Sequence, residues 1–130
     1  MSPVEKAKIL IVDDDRIWRE AMALLLKPHG ITPDLVKSAE EAVAYLKTTT
    51  PNVIVTDTNM PGTSGLQLLR YIRETNRTVP VIVFFSGLAG SEVTVDDVMA
   101  MGATAVLNKG EAAVQLLRLI SHSLINDEKE

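Results

Sequence analysis

Five short apolar runs, each followed by apolar residues at helical spacing, constrain this chain more than any other feature of it. They are Lys8 to Val12, the short Leu35-Val36, Val53 to Val55, Val81 to Phe85 and Ala105 to Leu107. Most are continuously apolar, as strands covered on both faces must be. The segments between them read as helices. Ile17, Ala21, Leu24 and Leu25 form a core stripe that Pro28, His29 and Gly30 bring to an end. Ser38, with Glu41 three residues on, is an N-cap in a capping-box pattern ahead of Ala42, Val43 and Leu46. Leu68, Leu69 and Ile72 share a third face, Val95, Val98 and Met99 a fourth, and Ala113, Leu117, Ile120 and Leu124 a fifth. Such strand-helix units predict an α/β fold, a doubly wound five-stranded parallel sheet with helices on both faces, because right-handed crossovers leave few alternatives.

The strand ends of such a sheet share one mouth, where helix N-termini point their N–H groups and ligands bind. Asp13 and Asp14 follow the first strand, Asp57 ends the third, Ser86 the fourth and Lys109 the fifth. In the flavodoxin-like order 2-1-3-4-5 the topological switch lies between strands one and three, where Asp13, Asp14 and Asp57 meet. Carboxylates packed together repel by roughly 4 kcal/mol per pair at about 4 Å and an effective dielectric of about 20, so the cluster invites a cation or a proton. An all-oxygen donor set with room for waters suits Mg²⁺ better than zinc. Asp15 reads differently, as the N-cap of the first helix. His29 reads as a complement to a helix dipole and His122 as a solvent-facing side chain, neither of them a ligand.

Composition removes other classes of function. With 130 residues, 46% of them hydrophobic, the chain suits one domain, expected over residues 6–125 with short polar tails at 1–5 and 126–130. A net charge of −4 with no basic cluster argues against direct binding to nucleic acid or to an anionic membrane. The absence of cysteine rules out disulfides, thiolate metal sites and Cys nucleophiles. No apolar run reaches membrane-spanning length and the first residues lack a signal-peptide layout, so a cytoplasmic location is expected. The Gly-x4-Gly-Lys-Ser/Thr pattern of a P-loop is missing.

The set Asp13-Asp14, Asp57, Asn59-Met60-Pro61-Gly62, Gly65, Ser86, Gly102-Ala103 and Lys109 resembles the receiver domain of two-component response regulators, from about Lys8 to Leu124. The resemblance implies a phosphoacceptor at Asp57, loaded from a phosphohistidine on a histidine kinase or histidine phosphotransfer protein. It implies Mg²⁺ held directly by Asp14, Asp57 and the main-chain oxygen of Asn59, with Asp13 acting through a water. Ser86 would donate to one phosphoryl oxygen and Lys109 would pair with another. Such a domain assists its own phosphorylation and dephosphorylation but turns over no external substrate. It signals to a downstream effector domain or protein, as a monomer or weak dimer.

The chain departs from the family pattern at Val106, where Tyr or Phe is usual, and at Gly110, where Pro usually follows the lysine. Spacing also raises a register question at Ser86, since a slip by one residue would put Phe85 or Gly87 in its place. Two rivals come from other classes: a receiver-like binding module that signals without phosphate, suggested by Val106 and Gly110, and a haloacid-dehalogenase-type phosphatase, suggested by the Asp-x-Asp of Asp13 and Asp15. Against the phosphatase stand Ile17 at its fifth motif position, the lack of a later acidic pair at a fourth-strand end and the lack of room for a substrate-covering cap. A flavin phosphate would be repelled by the acids. Trp18, flanking the first helical stripe, reads either as part of a wide core face or as a partner surface with Met22 and Leu26. Val106 has no ring to rotate, so coupling is expected through Gly87 to Gly90 or Gly110, with smaller changes at Leu116 and Leu119 on an output face.

Overall fold

The computed structural model describes residues 8–58, 65–76, 78–85, 94–108 and 115–120, with position 85 described by its backbone alone. Strands β1 (Ile9–Val12), β2 (Asp34–Val36), β3 (Val53–Asp57), β4 (Val81–Phe85) and β5 (Ala105–Asn108) form one sheet in the order β2-β1-β3-β4-β5, with every neighbouring pair parallel. Helices α1 (Arg16–Leu26), α2 (Ala39–Leu46), α3 (Gly65–Thr75) and α4 (Val95–Ala100) alternate with them, and α5 covers 115–120. The expected doubly wound topology is the one found.

Strand alternation divides the core into two layers. Ile9, Ile11, Val53, Val55, Ile82, Phe84 and Leu107 face Met22 and Leu26 of α1 and Leu116 and Ile120 of α5. Leu10, Val12, Ile54, Val81 and Val83 face Ala39 and Ala42 of α2, Leu68, Leu69 and Ile72 of α3, and Val98 of α4. Helices therefore cover both faces.

Three expected helix faces are corrected. On α1, Ile17 is 79% and Leu24 68% exposed, Ala21 is exposed too, while Met22 and Leu26 are buried and Trp18 and Leu25 pack on the first layer. Nearly the whole helix is apolar, and the rotation that wins buries the larger groups: the indole of Trp18 meets the ring of Phe84 edge-on, with centroids 5.2 Å apart and planes at 85°. On α4 only Val98 is buried, leaving Val95 and Met99 exposed. On α5, Leu116 joins Ile120 in the core at 0% exposure instead of lying on an output face, since i and i+4 share a helix face. Ala113 and Leu124 of the expected stripe lie outside the described residues.

Candidate functional site

The acids converge because two strands end together at the switch of the sheet. Val12 and Thr56 are register partners, so the residues that follow them, Asp13 and Asp57, emerge side by side. Asp13 N–H still donates to Val36 O at 3.1 Å, extending the β1–β2 ladder by one residue before the chain turns. The turn is fixed by side chains. Asp13 Oδ1 accepts from Asp15 N–H at 2.9 Å, and Asp15 Oδ1 accepts from the N–H groups of Ile17 (2.9 Å) and Trp18 (3.3 Å). Asp15 is thus the N-cap of α1, as its position in the sequence suggests. Arg19 Nη1 donates to Asp13 O at 2.7 Å and brings a cation to the back of the turn.

Asp57 ends β3 at 3% exposure, Asp13 is 1% exposed, and Asp14 stands exposed at the mouth. One carboxylate oxygen from each of Asp13, Asp14 and Asp57 lies within 4.8 Å of the others. Two of these groups are almost wholly withdrawn from water, so their mutual repulsion is poorly screened. The donor set, oxygen throughout and triply anionic, fits a hard divalent cation that retains waters on its open positions.

The main chain around Asp57 is held closely. Thr56 Oγ1 donates to Asp57 O at 3.2 Å. Thr58 N–H donates to Phe84 O at 3.1 Å, and Thr58 O accepts from Gly65 N–H at 3.3 Å, which ties the acid to both β4 and the start of α3. A Cβ at position 65 would lie 1.7 Å from Asp57 O, so only glycine lets α3 begin here. Gly65 could be read from the sequence as part of the resemblance; the buried threonines could not, since in a β-branched run Thr reads only as a strand former.

Asn59, Ser86 and Lys109 of the expected site, with Met60 to Gly62, Gly87 to Gly90 and Gly110, lie outside the described residues. The described register bears on the question at Ser86. Asp57 pairs with Phe84, and Phe84 with Leu107, and paired residues of a parallel sheet share a face.

A family model for the response regulator receiver domain matches residues 9–121. The response regulator protein FleR of Pseudomonas aeruginosa is 37% identical over 121 residues, which cover 91% of this chain and 25% of that protein. A solved response regulator receiver protein from Pseudomonas putida is 35% identical, with a TM-score of 0.80 over 89% of this chain and 96% of that one. The Francisella response regulator 1452 receiver domain, at 24% identity, shares the fold with a TM-score of 0.85 over 94% of this chain and 99% of that one. The chain spans 18% to 33% of the length of the first curated relatives it matches.

Proposed function

We propose, for a chain that belongs to the response regulator receiver domain family, that residues 6–125 form a phosphoacceptor unit in which Asp57 takes a phosphoryl group from a phosphohistidine. The observation that carries the reading is the meeting of Asp13, Asp14 and Asp57 within 4.8 Å at the C-terminal mouth of the sheet. Asp14, Asp57 and the main-chain oxygen of Asn59 would hold Mg²⁺ directly, with Asp13 behind a water. The ion supplies charge neutralisation for an anion approaching an anion. A carboxylate oxygen of Asp57 attacks phosphorus, the P–O bond forms as the P–N bond breaks, and the imidazole nitrogen leaves with the electron pair and takes up a proton. Hydrolysis of the acyl phosphate returns the site to its starting state, with no external substrate turned over.

Ser86 and Lys109 are assigned to the phosphoryl oxygens, and parity supports the assignment. Two residues beyond Phe84 is position 86 and two beyond Leu107 is position 109, the parity of Asp57, whereas 85 and 87 have the other parity. The partner is a histidine kinase or histidine phosphotransfer protein, and an effector domain or protein receives the signal. The exposed apolar row of Ile17, Ala21 and Leu24, which begins beside the acids, is the surface proposed for the phosphodonor, in place of the packed Trp18. Incubation with acetyl phosphate and Mg²⁺ tests the reading. One hydroxylamine-labile phosphoryl group per chain is expected, absent in Asp57→Ala or without Mg²⁺; a stable adduct, or none, overturns it.

A further inference from the structure

Asp13 and Asp14 of the proposed ion site are joined by one peptide unit, whose oxygen is Asp13 O. Because a peptide unit is planar, the direction of its C=O helps to set how the two side chains lie relative to each other. Asp13 is held at three points. Its N–H donates to Val36 O at 3.1 Å, its Oδ1 accepts from Asp15 N–H at 2.9 Å, and its main-chain O accepts from Arg19 Nη1 at 2.7 Å. Asp14 is exposed, and no hydrogen bond to its carboxylate is found among the described residues, so its aim depends on its backbone. The bond from Arg19 is the one made to the oxygen of the shared peptide. Arg19 is also an unfavourable place for a cation, since it is the fourth residue of α1 and a positive charge in the first turn stands against the helix dipole. Arg16 in the same turn is offset by pairing with Glu20 at 3.0 Å, whereas the half-buried Arg19 spends its guanidinium on a carbonyl six residues back.

We propose that Arg19 is a positioning residue for the cation site: by holding the oxygen of the peptide between Asp13 and Asp14, it aims the exposed carboxylate of Asp14 at the ion. Two effects of the guanidinium oppose each other. Its charge repels a divalent cation, and its bond prepares the site for one. The bond outweighs the charge, because water reaches the side chain and screens the charge, while a charge-assisted hydrogen bond of 2.7 Å is among the stronger ones. The sign of the effect on affinity therefore separates the two. This inference rests on the phosphoacceptor reading and adds to it a residue that arranges the ion site in advance.

The test compares the wild type, Arg19→Met and Arg19→Lys by Mg²⁺ affinity from calorimetry, with urea midpoints to show that each is folded and the Asp14 amide signal read by NMR without the ion. Arg19→Met keeps an apolar stem but loses donor and charge, and is expected to bind Mg²⁺ about five- to tenfold more weakly, the worth of one hydrogen bond. Arg19→Lys keeps a charged donor without the planar fork and is expected to bind about two- to threefold more weakly; it carries the comparison if Arg19→Met does not fold. The Asp14 amide, which belongs to the held peptide, is expected to shift in both variants. Affinity equal to or tighter than wild type in a folded variant overturns the proposal, since the guanidinium then acts by its charge or on stability alone, and leaves the phosphoacceptor reading intact. An unmoved Asp14 amide signal also overturns it. Failure of the wild type to bind Mg²⁺ sinks that reading itself, and this inference with it.

Discussion

Gly65 carries a constraint that no other side chain can meet, because the carbonyl of Asp57 occupies the space its Cβ would need. Gly65→Ala is expected to destabilise the fold by about 3 kcal/mol, the upper range for overpacking, and to disturb the acid it abuts. A urea midpoint and the Mg²⁺ affinity measured together check this, and a loss of one without the other would show that the contact is not shared. Ile17 and Trp18 make a second pair of expectations. Trp18→Ala removes an indole packed on Phe84 and should cost about 3 kcal/mol of stability, whereas Ile17→Ser removes an exposed group and should stay within about 0.5 kcal/mol. Ile17→Ser should instead slow phosphoryl transfer from the cognate phosphohistidine while leaving labelling by acetyl phosphate unchanged. The acids were legible in the sequence because a charge that interrupts an apolar run marks a strand end. The adjacent Ile17 and Trp18 were not, because helical spacing reports the width of an apolar face and not its phase once most of the circumference is apolar.

Among the described residues, α4 buries little of its own surface. Val98 is its one buried side chain among the described residues, and its N-terminus closes in a capping box, with Asp97 N–H to Thr94 Oγ1 at 3.1 Å and Thr94 N–H to Asp97 Oδ2 at 2.9 Å. Its C-terminal end is fastened from α3, where Arg73 Nε donates to Gly102 O at 2.7 Å and Nη1 to Asn76 O at 3.2 Å. One guanidinium thus serves the carbonyl ends of two helices, where the dipoles are negative, and its burial lowers its pKa without removing its charge. Gly102, at φ 107°, lies so close under Arg73 that a Cβ would come within 2.9 Å of its Cγ. Arg73→Met is expected to destabilise by about 2 kcal/mol and Gly102→Ala by at least about 1 kcal/mol, read from urea midpoints. Made together they should cost less than their sum, because both break the same contact. The periodicity of Val95, Val98 and Met99 predicted this helix but not how little of it is buried. A short helix at the margin of a sheet has only one turn against the core, and which residue occupies it depends on the connections at its ends.

For the molecule as a whole, the sheet order and the division of helices between its faces were legible because each strand-helix unit repeats one pattern and crossover handedness does the rest. Length and charge, with −4 on 130 residues, bounded the partners without identifying the site. What remained hidden depends on contacts between units, such as the bond from Thr58 N–H to Phe84 O and the tie from Arg73. The acid cluster has a consequence for global stability. Mg²⁺ should raise the melting temperature in a concentration-dependent way, by the equivalent of about 2.7 kcal/mol at a hundred times Kd. Asp57→Asn should be more stable than wild type without the ion, since it removes a repelling charge, and should lose most of the response to Mg²⁺.

The most direct test of Asp57 as the acceptor is peptide mapping after labelling with acetyl phosphate and Mg²⁺ and reduction with borohydride, which converts an acyl phosphate on aspartate into homoserine. Homoserine is expected at position 57 alone, in proportion to the phosphoryl mass gained by the intact chain. Homoserine at position 13 or 14, or an intact aspartate at 57 in fully labelled protein, would contradict the assignment.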